Sequence, residues 1–266
     1  MQIQNGAACP AAAKRIVVKV GTSTLTHENG KLNIRRVELL TRVLSDLMNQ
    51  GLEIVLVSSG AIGVGVGKMG LSARPDEVPQ KQALAAVGQG QLMSIYDKFF
   101  SEYSQTCAQV LLTRDVIDSE ERRENAINAF STMFDYGIIP IVNENDVIST
   151  FEIQFGDNDT LSANVAKLVG AQLLIILSDI DGLFDQNPKD NPDAKVIPIV
   201  TKITDEIVAL AGGAGGNLGT GGMVTKIKAA EIATQSGINM IIANGSKVEE
   251  LYKIFEGKYV GTLFTV

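Results

Sequence analysis

The sequence has a single histidine and only two cysteines, and this scarcity excludes several kinds of site. Among its 266 residues, His27 is the one histidine, so we expect neither a histidine-based catalytic triad nor most types of zinc site. Cys9 and Cys107 provide no disulfide framework and no metal-binding spacing. A reducing, cytoplasmic environment fits this composition best.

Long apolar runs and excess positive charge are also missing. No apolar run reaches the ~20 residues that a membrane-spanning helix needs. The first 13 residues have no basic segment followed by an apolar core, so we expect no secretory signal. The formal net charge is -7 and the pI is about 4.9, whereas a nucleic-acid-binding surface requires a basic face. We therefore expect neither a membrane nor a nucleic-acid partner.

Short apolar, β-branched runs alternate with amphipathic segments along the chain. This pattern predicts an α/β fold with a mostly parallel central sheet and helices on both faces. We expect a flexible tail at 1–13 and one domain at 14–266, with lobes at about 14–170 and 171–266. The predicted strands are 15–20, 53–57, 108–113, 138–142, 172–177, 238–243 and 261–264.

Local signals mark several element boundaries. Asn33 and Ser119 (or Asp118) are predicted N-caps, and Pro79 is predicted to open a helix. Pro140 within the fourth strand indicates a sheet edge or an irregular ladder. The spacing of residues 246–249 predicts a capping box before the last helix.

A glycine-rich segment at 219–226, Gly-Thr-Gly-Gly-Met-Val-Thr-Lys, precedes a predicted helix. Glycine permits close backbone approach, so that successive N–H groups can face one anion. Lys226 lies on the first turn of the helix, where a cation opposes the helix dipole unless an anion is near. These features suggest a phosphate-binding loop, although the Walker A pattern does not occur. A flexible surface loop before an ordinary helix is the alternative.

Polar residues follow the first two strands at their carboxyl ends. Lys19 interrupts the first strand, and a lysine in a buried strand requires a carboxylate or a ligand anion unless it reaches solvent from an edge strand. Ser58-Ser-Gly-Ala-Ile62 follows the second strand. Ligands of open α/β sheets bind outside the carboxyl ends of strands, so we expect these segments to line one pocket.

Four carboxylates fall close together after the fourth strand, at Glu144, Asp146, Asp157 and Asp159. Carboxylates this close repel each other unless cations neutralise them. N-capping by Asn158 or Asp159 and a solvated loop would explain them structurally. A magnesium nucleotide, or lysines that need to be positioned, would explain them all functionally.

Six motifs, taken together and in order, resemble the amino acid kinase family over almost the whole chain, from Ile16 to Phe264. The motifs are Val18-Lys-Val-Gly-Thr-Ser23, Ser58-Ser-Gly-Ala-Ile62, Asn143-Glu-Asn-Asp146, Gly156-Asp-Asn-Asp159, Ser178-Asp-Ile-Asp-Gly-Leu183 and Gly219–Lys226. The resemblance implies the αβα sandwich of that family.

The resemblance also implies an activity: ATP-dependent phosphorylation of the side-chain carboxylate of L-glutamate to L-glutamyl 5-phosphate, the first step towards proline. It further implies Mg²⁺ carried by ATP, feedback inhibition by proline, functional coupling to glutamate-5-semialdehyde dehydrogenase and a homodimer or homotetramer. We expect no C-terminal PUA domain, which many such kinases carry. The acceptor carboxylate is already ionised at neutral pH, so no general base is required.

Residue roles are carried over from the family motifs. Lys19 and Lys226 would contact the phosphates and the transferring phosphoryl group, and Asp159 would orient both lysines. Ser59, Asp146 and Asn158 would hold glutamate, with Asp146 facing the α-ammonium group. The ATP-binding residues would be Lys19, Ser178, Asp179, Thr220, Gly221, Gly222, Met223, Val224, Thr225 and Lys226.

Two alternatives remain open at the level of sequence. An acetylglutamate, aspartate, carbamate or uridylate kinase would share the fold and both lysines. A non-catalytic nucleotide- or amino-acid-sensing module on the same scaffold predicts loss of Lys19, Asp159 or Lys226, and all three are present.

Overall fold

The apolar runs form the strands of one central sheet. The computed structural model describes residues 10–27, 31–113, 115–149, 158–188, 190–212, 222–258 and 260–266. The strands in this part of the chain are β1 (Arg15–Val20), β2 (Glu53–Ser58), β3 (Thr106–Leu112), β4 (Ile138–Glu144), β5 (Leu173–Ser178), β6 (Ile199–Val200), β7 (Asn239–Asn244) and β8 (Thr262–Phe264).

The strand order is β3-β4-β2-β1-β5-β7-β8-β6. The pairs from β3 to β7 are all parallel, whereas β8 runs antiparallel to β7 and pairs in parallel with β6. β1 lies at the centre, with β2 on one side and β5 on the other. The chain thus builds the sheet outward from β1 in both directions, which creates a topological switch point beside β1.

Helices cover both faces of the sheet, as the alternating pattern predicts. Those within the described residues are α1 (Thr22–Leu25), α2 (Ile34–Asn49), α3 (Ala61–Met69), α4 (Val78–Glu102), α5 (Asp115–Asp118), α6 (Glu120–Asp135), α7 (Asn158–Leu168), α8 (Asp205–Ala211), α9 (Met223–Gln235) and α10 (Glu250–Phe255). One buried cluster joins the sheet to α2, α3, α4 and α10, and a second joins it to α6, α7 and α9. None of the described helices is both long and apolar enough to cross a bilayer.

The alternation of side chains along β1 decides where Lys19 lies. Ile16, Val18 and Val20 belong to the cluster under α2, α3 and α4, whereas Val17 belongs to the cluster under α7 and α9. Successive side chains of a strand point to opposite faces, so Lys19 shares the face of Val17. The only charged residue in β1 after Arg15 therefore emerges beneath α7 and α9.

Most of the local signals are confirmed. The Asn33 side chain accepts a hydrogen bond from the Arg36 N–H, and the Ser119 side chain accepts one from the Arg122 N–H. Pro79 lies in the first turn of α4. These caps satisfy backbone donors that have no partner within the helix.

Two local predictions need correction. The edge assignment of Pro140 is wrong, because β4 lies between β3 and β2. The irregular-ladder alternative holds, since the β4–β2 pairing consists of Ile141 and Val142 with their partners, just after the proline. The capping box at 246–249 is also wrong: the Ser246 hydroxyl donates to Asn244 Oδ1, and the helix begins at Glu250 without a side-chain cap.

The predicted tail and lobes are described only in part. Residues 1–9 lie outside the described residues, while Pro10–Ala12 forms a 3₁₀ turn in which Pro10 is buried. The two lobes share one sheet, because β1 pairs with β5 from Ile16 to Val20. The division at about residue 170 stays a prediction.

Two glycines allow α3 and α4 to pack at very close range. A Cβ atom added to Gly88 would lie 1.7 Å from the carbonyl oxygen of Ala61, and one added to Gly65 would lie 2.1 Å from that of Leu84. Both obstacles are backbone atoms, so neither can move aside without shifting a helix. Gly90, one residue beyond Gln89 on α4, has no neighbouring atom within 4 Å of such a Cβ.

We predict opposite effects for alanine at the two α4 glycines. Gly88→Ala should lower the free energy of unfolding by about 3 kcal/mol or more, because the helices must separate. Gly90→Ala is the matched control and should raise it by about 0.5–1 kcal/mol through helix propensity. Urea unfolding of both variants measures the difference. A Gly88→Ala protein as stable as Gly90→Ala would contradict the close-packing account.

Candidate active site

A cavity of about 370 Å³ opens at the carboxyl ends of β1, β2, β4 and β5. Its volume is within the range of small-molecule sites. Eight of the residues singled out from the sequence line it together: Lys19, Ser59, Asp146, Asn158, Asp159, Ser178, Asp179 and Lys226. The expectation that the loops after successive strands form one pocket is confirmed.

A fully buried carboxylate lies at the base of this cavity and pairs with two lysines. Asp159 is 0% exposed. Its Oδ1 lies 2.7 Å from Lys19 Nζ, and its Oδ2 lies 3.1 Å from Lys226 Nζ. The Thr225 hydroxyl donates a third interaction to Oδ2 at 2.7 Å. One anion thus fixes two cations that come from distant parts of the chain.

The fold explains how these three side chains meet. Lys19 projects from β1 onto the face covered by α7 and α9. Asp159 is the second residue of α7, and Lys226 is the fourth residue of α9. Burial raises the pKa of Asp159, but Lys19 and Lys226 outweigh that effect and hold the pKa below its usual value. The carboxylate is therefore ionised at neutral pH.

A chain of hydrogen-bonded, buried amide side chains connects α4 to the first residue of α7. Gln89 Oε1 accepts from Asn143 Nδ2 at 3.0 Å, and Asn143 Oδ1 accepts from Asn158 Nδ2 at 3.2 Å. Asn158 Nδ2 also donates to the Ser59 hydroxyl and to the Ser58 carbonyl oxygen. Because a carbonyl can only accept, this contact fixes which end of the Asn158 amide is the nitrogen.

Two buried oxygens at the cavity have no hydrogen-bond partner among the described residues. They are Oδ1 of Asn158 and Oδ1 of Asp146. Buried acceptors without a partner are rare in native proteins, so these two atoms stand out among the buried polar groups of the site. Both residues line the cavity, and a carboxylate beside an amide is a combination that suits an ammonium group with several N–H bonds.

The environment of Asp146 modulates its charge. Burial and the neighbouring Glu144 carboxylate raise its pKa to about 6, against the lowering effect of Arg74. The Glu144 carboxylate has a different partner, because it accepts a hydrogen bond from the Ser149 hydroxyl. Asp146 is therefore charged at neutral pH but becomes protonated under mildly acidic conditions.

Ser178 and Asp179 border the cavity on the β5 side. Ser178 is buried, and its hydroxyl donates to Asp179 Oδ1 at 3.1 Å. Along the glycine-rich segment, Gly222 is the N-cap of α9, Met223 is half-buried in the core, and Val224 is exposed. Of residues 222–226, Lys226 alone reaches the cavity lining. Thr220, Gly221 and Asp157 lie outside the described residues.

The structure adds two residues that the sequence did not single out. Gln89 lies on α4 between two glycines, where its only signal is a polar side chain on a helix face that packs inward. Arg74 lies in the loop between α3 and α4 and lines the cavity. Loop residues have no periodicity to reveal their direction, so only the folded chain places Arg74 at the site.

Comparisons with known proteins show which proteins the chain resembles. The model of the amino acid kinase family matches residues 14–244. Over 256 residues, the chain is 60% identical to a glutamate 5-kinase of Clostridium perfringens, covering 95% of each chain. It is 54% identical to a glutamate 5-kinase of Caldanaerobacter subterraneus over 250 residues, which cover 94% of this chain and 67% of that one.

Solved structures confirm the fold at much lower identity. The carbamate kinase of Giardia lamblia bound to AMP-PNP has a TM-score of 0.65 and 19% identity, over 96% of this chain and 99% of that one. The isopentenyl phosphate kinase product complex of T. acidophilum has a TM-score of 0.62 and 17% identity, over 94% and 99%. From the family match and the high identity to the two glutamate 5-kinases, we conclude that the chain belongs to the amino acid kinase family.

Proposed function

We propose that the chain transfers the γ-phosphoryl group of ATP to the side-chain carboxylate of L-glutamate, producing L-glutamyl 5-phosphate and ADP. The observation that carries the proposal is the buried Asp159 with its two lysines, next to a subsite with two unpartnered acceptors. Curated relatives at 53–60% identity are named for this activity.

The two lysines act on the phosphoryl group. An oxygen of the glutamate side chain forms a bond to the γ-phosphorus while the bond to the departing ADP oxygen breaks. Negative charge is spread over the transferring oxygens in this reaction, so positioned cations supply most of the catalysis. Lys19 and Lys226 are buried and fixed by Asp159, so they need not reorganise as that charge develops. No proton has to be removed, because the attacking carboxylate is already ionised.

The amino acid is held by hydrogen-bond acceptors on two residues: Asn158, at the end of the amide chain, and Asp146. Asp146 and Asn158, which line the cavity, receive the α-ammonium group. Ser59 lies beside them and already accepts from Asn158. The amide chain from Gln89 orients Asn158, because the Asn158 nitrogen donates to Asn143 and to Ser59.

The nucleotide side of the proposal uses Ser178, Asp179 and the segment 220–226. Mg²⁺ would neutralise phosphate charge and is commonly bound through one or two carboxylates together with substrate phosphates. Asp159 is occupied by two lysines and a hydroxyl, whereas Asp179 is exposed at the cavity. These residues fit a metal ion carried by ATP better than a protein-bound one.

The same proposal covers the metabolic pathway, the cellular location and the oligomeric state. The product would enter proline biosynthesis, with glutamate-5-semialdehyde dehydrogenase as the next enzyme and proline as a feedback inhibitor. We propose a cytoplasmic homo-oligomer, a dimer or tetramer. The family resemblance supports these points.

The unpartnered acceptors disfavour rival acceptor substrates that lack an ammonium group. N-acetylglutamate has no ammonium group, so its binding would leave the Asp146 carboxylate without a cationic partner. Leaving a buried polar group unpaired lowers affinity substantially. A sensing module would not need two buried lysines held against one carboxylate.

A direct test measures ADP release from Mg-ATP with L-glutamate, L-aspartate, N-acetyl-L-glutamate, carbamate and UMP as separate acceptors. Hydroxylamine traps an acyl phosphate as a hydroxamate. Turnover with glutamate and formation of the hydroxamate are expected. Turnover confined to another acceptor, or none at all, would refute the proposal.

Lys226 should act mainly on the transition state. Lys226→Ala should lower kcat roughly 100- to 1,000-fold, by analogy with the removal of a charge-stabilising group, while the protein stays folded. Lys228→Ala, an exposed lysine on the same helix, is the matched control and should turn over normally. Steady-state kinetics and circular dichroism measure both effects. Near-normal kcat in folded Lys226→Ala would contradict the assigned role.

Asp146 should make glutamate use depend on pH. Only its ionised form attracts the α-ammonium group, so kcat/KM for glutamate should fall about tenfold per pH unit below the Asp146 pKa of about 6. Asp146→Ala should raise the KM for glutamate, and Asp146→Asn should remove this acidic limb. Measurements at saturating Mg-ATP isolate the effect. An unchanged limb in Asp146→Asn would show that another group titrates.

A further inference from the structure

We propose that Arg74 binds the α-carboxylate of the amino acid acceptor and so selects free α-amino acids. The inference rests on the proposed function, because it assigns the remaining charged group of the same substrate. Arg74 lines the cavity that contains Asp146, Asn158 and both lysines.

The charged residues that line the cavity indicate a binding role for Arg74. In the described part of the chain, the cations that line the cavity are Lys19, Lys226 and Arg74, and the two lysines are both paired with Asp159. Among the described residues, the Arg74 guanidinium forms neither an ion pair nor a hydrogen bond. It is therefore the cation available to a second carboxylate, once the reacting carboxylate lies near the lysines.

The surroundings of Arg74 suit the end of an amino acid that carries the α-ammonium and α-carboxylate groups. Arg74 is close enough to Asp146 to lower its pKa, and Asp146 has an unpartnered oxygen at the cavity. An α-amino acid carries its ammonium and carboxylate on one carbon atom, so a cationic and an anionic side chain that line the same cavity are complementary to both. The planar guanidinium can bind a carboxylate through two parallel hydrogen bonds.

The local chain helps to hold Arg74 in place. The residue after it is Pro75, and a residue before proline is restricted to extended backbone conformations. The loop is anchored at both ends by α3 and α4, which pack closely through Gly65 and Gly88. An exposed loop residue is thereby kept at the cavity mouth before substrate arrives.

Substrate analogues that lack one charged group test the assignment. 4-Aminobutyrate lacks the α-carboxylate, and glutarate lacks the ammonium group. Arg74→Ala should lower kcat/KM for glutamate roughly 10- to 100-fold, mainly through KM, since a charged hydrogen bond is lost. The competitive inhibition constant of 4-aminobutyrate should stay within about twofold of wild type, whereas that of glutarate should rise.

Two control variants separate the loss of charge and of paired hydrogen bonds at Arg74 from the general effect of removing a surface cation. Arg74→Lys keeps the charge but not the paired hydrogen bonds, so its kcat/KM should be intermediate. Lys68→Ala removes an exposed cation near the end of α3 that does not line the cavity, and its constants should match wild type. The KM for ATP should be unchanged in Arg74→Ala.

The possible failures are distinguishable. Wild-type protein that does not phosphorylate glutamate would refute the proposed function itself. If wild type turns over glutamate but Arg74→Ala behaves like wild type, the inference about Arg74 fails and the function stands. Equal weakening of glutamate and 4-aminobutyrate, or a raised KM for ATP, would also overturn it, because Arg74 would then act elsewhere than at the α-carboxylate.

Discussion

The buried carboxylate of Asp159 is the constraint on which the site depends. It lies between two lysines, one on the central strand and one on a helix near the carboxyl end of the chain. Burial of any one of these charges alone would be costly, and removal of the carboxylate leaves two buried lysines uncompensated. The three therefore function as a unit with a net positive charge, which suits a reaction that moves a phosphoryl group. Stability alone gives no reason for such a cluster, since apolar replacements of buried ion pairs are often equally stable.

The sheet and one helix pair bring the remaining groups to this unit. The strands on either side of β1 end at the same edge, so Ser59, Ser178 and the lysine of β1 meet without long connections. The close approach of α3 and α4 at Gly88 adjoins Gln89, which holds Asn143 and through it Asn158. Backbone packing and the orientation of the Asn158 amide are thus properties of the same stretch of helix.

Much of this architecture could be predicted from the sequence, because its signals are local. Apolar runs gave the strands, and Lys19 stood out as a charge within such a run. Pro140 shows the limit: its missing N–H predicts a weakened ladder but not the position of the strand in the sheet. Ser246 had the spacing of a cap but pairs with Asn244. Arg74 and Gln89 could not be assigned, because each reaches the site only after distant segments pack. The glycine-rich residues 213–221 lie outside the described part of the chain, so their role stays a prediction.

A double-mutant cycle between Asp159 and Lys226 tests the central claim most directly, with the free energy of unfolding as the measured quantity. Asp159→Asn should cost about 3 kcal/mol or more, because two buried lysines lose their partner. Adding Lys226→Met removes one of the two unpaired charges, so the double variant should recover at least about 1 kcal/mol relative to additivity. Additive losses, or an Asp159→Asn protein as stable as wild type, would contradict the account of one anion holding both lysines.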